Sequence, residues 1–450
     1  MKKRAALISF LLLIFIKAAL LLSDNSAPDF YTQELRNPQA NTESAARKET
    51  LKRWLFGFPS LPINMLKWGL DPTLNYVEES HLVKKIDWFW KEIKKYGFHP
   101  ETRFTPNNAV TGIGLQMRGD ELFKTNETLP FVQYDVIGGY ATEGRNGTFA
   151  DFGGGYKITM PENTNLYHVG RVRYERSPLM NFYGIGPRTS AGDRALYSHE
   201  ELSLDGRVGY QITQTVKSEG FFKFRHVNIG NGHLEEEFRL KERFDAASVP
   251  GIHGTDLINL GFVLSHDDRD MEEDPLRGGY ENFQFYFAND VRGGNFHYLK
   301  FDLHAARFFQ LRSDRRIFAL KFFAGRTQRL NDDRAPFFDL QRIGGYGIQP
   351  AGSETLRAYR YNRFFDQTAF VLTPEYRYNI WKYGNFSADS VFFVDLGEVA
   401  REFHSLGFDK LKVSYGGGLR VKHSRDVFFS FEVAHGNEGT QFYIRTKAPF

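Results

Sequence analysis

The sequence predicts an all-β protein, a transmembrane antiparallel β-barrel of about sixteen strands with a short N-terminal helical segment. From about Phe98 to the last residue, apolar and polar side chains alternate with a period of two. The segments so marked are about ten residues long, which suits a tilted strand crossing a bilayer. Aromatic residues make up 16% of the chain, including 44 Phe and 22 Tyr, and these are strand formers.

Composition narrows the alternatives. The chain has 450 residues, 25% of them charged, a formal net charge of +4 and no cysteine. Mean hydropathy is −0.44, and beyond the N-terminus no run approaches the roughly 18 apolar residues of a spanning helix. A membrane barrel remains open, because only alternate residues of each strand face lipid. Without cysteine there is no disulfide framework and no thiolate metal or redox chemistry. The charge is too small, and basic runs with interleaved aromatics too scarce, for nucleic acid to be a partner.

The elements follow in chain order. Lys2, Lys3 and Arg4 precede the apolar run Ala5 to Ile16 and a polar stretch from Ser23, the pattern of a signal peptide over residues 1–23. A single membrane anchor is the other reading, since Lys17 interrupts the run. Residues 24–97 read as a periplasmic linker, with scattered prolines, and an amphipathic helix. In that helix Leu82, Ile86, Phe89 and Ile93 share a face, Ser80 caps the start and Gly97 ends it. It fits a helix docked on its neighbour better than a basic interfacial helix or a plug.

The barrel is expected over residues 98–450. Phe283, Phe285 and Phe287 alternate with Gln284 and Tyr286; Leu299, Phe301 and Leu303 alternate with Lys300, Asp302 and His304; Phe429 and Phe431 alternate with Ser430 and Glu432. The polar faces carry too much charge for a dry core. Connections alternate between long (Leu234 to Gly254, Arg329 to Gln367) and short (Arg312 to Arg315, Lys422 to Arg425), as external loops and periplasmic turns do. The last strand puts Phe442, Ile444 and the terminal Phe450 on one face, which looks like the C-terminal recognition signal of outer-membrane barrels.

Several motifs carry a family resemblance. Gly344-Gly345 through Leu356-Arg357-Ala358-Tyr359-Arg360 to Arg363-Phe364 resembles the sixth external loop of the BamA/TamA family (bacterial surface antigen superfamily), whose tip carries an Arg-Gly-aromatic signature. Phe393-Val394-Asp395-Leu396-Gly397 is similar to that family's Phe-x-Asp-x-Gly strand, and Pro374-Glu375-Tyr376-Arg377 falls where the family places a lumenal glutamate. His266 to Asp270, followed by Pro275 to Tyr280, resembles its Asp-rich turn and Arg-Gly-Tyr re-entry. The resemblance spans roughly residues 98 to 450. It implies a loop folded back into the lumen, anchored by Arg357, Tyr359, Glu375, Asp395 and Gly397. Two departures stand out. Ala358 replaces the signature glycine, so a positive φ there would be strained, and the region before Phe98 is too poor in elements for the family's POTRA domains.

The alternation itself places Asp395 opposite Phe392, Val394 and Leu396, and Glu375 opposite Phe370, Leu372 and Tyr376. Carboxylates enclosed in a lumen favour a fixed cation, and arginine has the planar fork to join them. Arg357 is therefore expected to pair with Asp395 and Glu375, the alternative being solvated wall charges. No nucleophile, zinc or phosphate-loop motif is present, so no enzyme, metal or cofactor is expected; His266 to Asp270 read better as a polar turn than as a cation site. The resemblance implies a bacterial outer-membrane location, with outer-membrane lipid and client outer-membrane proteins or periplasmic factors as partners. It points to assisted insertion or translocation of proteins or lipids, with a passive channel or structural envelope protein as the competing class.

Overall fold

The computed structural model describes residues 98–445 except 106–109, 119–131, 144–146, 161 and short segments at 233–237, 273, 294–295, 312, 314, 332, 347–353, 408 and 424–425, with side chains from residue 150 onward except 151, 426 and 428. The expected signal peptide, linker and helix, and Phe450, lie outside the described residues.

The strands are β1 (Phe98–Thr105), β2 (Val110–Arg118), β3 (Val132–Glu143), β4 (Gly147–Met160), β5 (Asn163–Phe182), β6 (Ala195–Gln211), β7 (Val216–Asn231), β8 (Gly254–Asp267), β9 (Gly278–Asp290), β10 (His297–Gln310), β11 (Arg316–Arg329), β12 (Gln341–Ile343), β13 (Phe364–Asp366), β14 (Thr368–Tyr383), β15 (Phe386–Ala400), β16 (Lys412–His423), β17 (Asp426–Gly436) and β18 (Gly439–Arg445). All but two belong to one antiparallel meander that forms a barrel wall, in which each strand pairs with the next. The exceptions, β12 and β13, pair with each other inside the long β11–β14 connection, so β11 pairs directly with β14. This hairpin was not foreseen; three residues per strand are too few to show a period of two.

Side-chain polarity is inverted relative to a water-soluble fold. On β8, Leu260 is 61% exposed while the adjacent Asn259 is 3% exposed. Leu202 and Leu204 on β6 and Phe429 and Phe431 on β17 likewise face out, with Ser203, Ser430 and Glu432 buried between them. Outward rings touch from strand to strand: Phe262 lies 5.6 Å from Phe285, which lies 4.9 Å from Phe301. Such cross-strand aromatic pairs hold register as well as adding apolar area. Among the described residues no helix is long and apolar enough to cross a membrane.

The two ends of the wall differ. One carries the long connections 183–194, 232–253, 330–367 and 401–411; the other has tight turns such as 384–385 between β14 and β15. Loops on the long side fold over the mouth, where Phe182 meets Phe337 and Phe365 edge to face, each at 5.1 Å, with Tyr197 and Phe338 buried beside them.

An outward face that meets lipid predicts a cost with no counterpart in a soluble sheet. Leu260→Arg, near the middle of β8, should lower stability in lipid vesicles by about 2 to 4 kcal/mol, read from urea unfolding. A change of only a few tenths would mean that this face meets water.

Candidate functional site: a loop anchored inside the wall

The β11–β14 connection turns inward rather than standing away from the wall. After the helical turn Phe337–Asp339 the chain runs through β12 to a tip at Leu356–Tyr361, then returns through β13. Glu354 and Leu356 donate backbone hydrogen bonds to Arg342 and Gly345, tying the two arms together.

At the tip, Arg357 is completely buried. Its Nη2 lies 2.7 Å and its Nε 3.1 Å from the two carboxylate oxygens of Asp395, a two-point fork reinforced by its backbone N–H on the same carboxylate at 2.9 Å. Nη1 reaches Glu375 at 3.2 Å and Glu432 at 3.0 Å, and the plane of the group lies over the Phe393 ring, 3.2 Å from its centroid. Arg420 completes the cluster from β16, donating to both Glu375 (2.8 Å) and Glu432 (2.6 Å), while Arg377 adds a bond to Glu375 at 2.8 Å. Three guanidiniums thus meet three carboxylates, all but unexposed.

Of the residues expected at the anchor, Arg357, Glu375 and Asp395 come together as ion partners. Tyr359 is buried beside them, its ring edge-on to Phe364 at 5.4 Å. Gly397 contributes by what it lacks, because a β-carbon there would lie 3.2 Å from Ile343 and 3.5 Å from Leu356 of the loop. At Ala358 the feared strain does not arise: the non-glycine residues of positive φ among those described are Asn331 and Asn362. Its methyl is accommodated by Gly436, where a β-carbon would stand 2.8 Å from that of Ala358. Phe442 and Ile444 point away from the lumen, Phe442 being largely exposed.

Glu432, Arg420, Ser414 and Tyr443 were missed. Ser414 accepts the Ala358 N–H at 2.9 Å, and the Tyr443 hydroxyl donates to the Arg357 carbonyl at 2.6 Å. The alternation of β17 had put Glu432 on the polar face, but nothing linear says that β16, β17 and β18 converge on one loop residue. The acidic turn after β8 is occupied with itself: Asp267 pairs with Arg269 (2.7 Å), Asp268 with Arg307 (3.0 Å), and Asp270 accepts the Leu276 N–H (2.9 Å). No group of residues suited to a metal ion occurs among the described residues.

A second anchor holds the base of the loop. Asp339 accepts from Arg225 at 2.6 Å and from the Tyr298 hydroxyl. Burial opposes ionisation of Asp339, but Arg225, Lys300 and these hydrogen bonds outweigh it and bring the carboxyl down to about 2. Arg363 joins Glu438 at 2.8 Å and Thr189, linking the returning arm to the β17–β18 turn and the β5–β6 loop.

A lipid-facing antiparallel wall with a charged, loop-filled interior defines the class: an outer-membrane β-barrel protein of the BamA/TamA kind. The family model of the Omp85 superfamily domain matches residues 147–438. The chain belongs to the Omp85 superfamily, whose members are non-enzymatic transporters and insertases, and it is an outer-membrane protein. Among solved structures it is similar to BamA from Haemophilus ducreyi lacking POTRA domains 1–3 (TM-score 0.54, 12% identity, 78% of this chain and 70% of that one). CdiB from Escherichia coli (TM-score 0.49, 12% identity) and CdiB from Acinetobacter baumannii (0.47, 12%) also match, over 78% of this chain and 63% and 59% of theirs. Comparison with curated protein sequences gives no match.

Two consequences are measurable. Arg357→Ala leaves buried carboxylates uncompensated and should cost about 3 to 5 kcal/mol, seen as a lower unfolding midpoint and faster protease cleavage near residue 357. Arg357→Lys should recover only part of this, having charge without the fork. If Arg357→Ala changed neither quantity, the buried ion cluster would not hold the loop. Gly436→Ala should cost about 1 to 3 kcal/mol through overpacking. Ala358→Gly in the same chain should return part of it; simple additivity of the two changes would show that the methyl and the glycine do not meet.

Proposed function

We propose that this protein assists the insertion or translocation of proteins or lipids at the outer membrane, without enzymatic chemistry, through a weak seam between its first and last strands. In this reading the wall closes as a sixteen-strand cylinder, residues 1–23 direct export and residues 24–97 lie in the periplasm. The observation that carries it is the point at which the ladder joining β1 to β18 ends, at Phe104 and Ile444. Arg103 pairs with Arg445 and Phe104 with Ile444, yet Thr105 and Tyr443, next in that register and both within strands, do not pair. By contrast β1 and β2 pair along the whole of β1. A strand edge with free N–H and C=O groups can accept an incoming strand, and parting it opens a path to lipid. The anchored loop supports the same reading from inside: Glu432 on β17 and Tyr443 on β18 both bind the Arg357 region, so the strands beside the seam keep their places if it parts. The loop also occupies part of the lumen, anchored at Asp395 and Arg225, which favours this over a passive channel.

The chain has no cysteine, so Arg103→Cys with Arg445→Cys places a single disulfide across the seam. Cells relying on the oxidised, locked protein should lose other outer-membrane proteins or lipids selectively, as on depletion, and recover with reductant. Normal envelope composition with the seam locked, or a defect confined to solute uptake, would overturn the proposal.

A further inference from the structure

We infer that the cavity between the inserted loop and the wall is a binding site for a small oxyanion carrying a phosphate or carboxylate group, with Arg342 as its principal donor. The cavity has a volume of about 310 Å³ and lies between β12 of the loop and the lumenal faces of β5, β6, β7 and β10. That is room for such an anion with ordered water.

The charge inventory singles out Arg342. Each carboxylate lining the cavity has a cation of its own: Glu201 has Lys223 at 2.9 Å and Arg225 at 2.8 Å, Glu175 has Arg173 at 3.5 Å, and Asp302 has Lys300 at 3.9 Å. Asp302 also accepts from Gln341 at 2.8 Å. Glu354 lies between Lys321 at 3.4 Å and His304 at 3.6 Å. Arg342, only 9% exposed, makes no ion pair among the described residues. Among the described residues its Nε and Nη1 donate no hydrogen bond; the Tyr197 hydroxyl lies beside the guanidinium, and the Phe365 ring is 6.0 Å away.

A buried guanidinium with idle donors is costly unless something meets it. Two further cavity groups are in the same position: Arg225 Nε and His199 Nδ1 are buried without a partner. A planar cation with the Arg225 Nε–H on the facing wall suits an oxyanion, which accepts several hydrogen bonds at once, and His199 adds a donor in its Nδ1–H tautomer. The idle carboxylate oxygen, Oε2 of Glu354, does not argue for a cation, because the Lys321 ammonium already stands 3.4 Å from it. Phe323 and Phe338 are the apolar members of the lining, so acyl chains would find little wall there and a lipid headgroup is disfavoured against a free anion. The site spans the loop and the wall, so its ligand would join them.

The test is isothermal titration of the full chain in detergent micelles with inorganic phosphate, in a phosphate-free buffer of low ionic strength. The expected result is one saturable site that weakens with added salt, loses at least tenfold in affinity in Arg342→Gln, and is partly kept in Arg342→Lys. Arg292→Gln, an exposed arginine outside the cavity, should bind as the wild type does. Heat-modifiable gel mobility establishes that each variant is folded, and the wild-type titration decides alone if Arg342→Gln is not. Absence of saturable binding to the folded wild type, unchanged binding by folded Arg342→Gln, or binding of a short-chain phosphatidic acid where phosphate fails would each overturn the inference.

Discussion

The rest of the structure depends on one buried cation finding its charges. Arg357 has five N–H donors in a rigid plane, and the wall offers Asp395, Glu375 and Glu432 around that plane with Phe393 beneath it. Removing a guanidinium from water costs on the order of several kcal/mol, recovered only where geometry and hydrogen bonding are nearly complete. Here they are, because the three carboxylates stand on three different strands, β15, β14 and β17, whose register the antiparallel ladder fixes. The ion cluster thus joins the loop to three strands at once.

That requirement follows from the inverted polarity of the wall. A barrel facing lipid cannot hold together on an apolar core, because its apolar side is spent outward. Its interior has to be made of satisfied polar groups, and an isolated set of lumenal carboxylates would repel itself. Arg420 and Arg377 come from the wall, and Arg357 brings the third guanidinium from the loop. Glycines make the space for this. Gly416 leaves room for the inward-pointing Phe393 ring on which Arg357 lies, Gly397 for Ile343 and Leu356, and Gly436 for Ala358. Apolar contact inside gathers around the loop, in the ring cluster of Phe182, Phe337 and Phe365 at the mouth and in a second cluster where Ile343, Leu356, Tyr359 and Phe364 meet Val371 and Phe393 of the wall.

What was legible in the sequence follows from the same physics. The long strands carry a period of two because they face two different media, so their existence and the inward direction of Asp395 and Glu375 could be read directly. Arg357 was reachable because its motif and the two carboxylates each had a distinct neighbourhood. Glu432, Arg420 and Tyr443 have ordinary strand surroundings, and their convergence depends on how the wall curves, which no local pattern encodes. The β12–β13 hairpin is held by tertiary contacts rather than by propensity. Whether Ala358 would need a glycine's backbone could not be read from the sequence: its φ is not positive, and room for its methyl comes from Gly436.

The anchor and the seam belong to one arrangement. Opening a barrel between its first and last strands exposes backbone groups and also releases the curvature stored in the neighbouring strands, which would tend to spread the gap. Arg357 counters that spread from within, because its carbonyl accepts from Tyr443 on β18 while its side chain holds Glu432 on β17 and Asp395 on β15. The loop thus fastens β15, β17 and β18, the strands on one flank of the seam, to one another. On the proposed reading, a gap there would form by separating β1 from β18 while the contacts of Arg357 with Asp395, Glu375 and Glu432 stay in place.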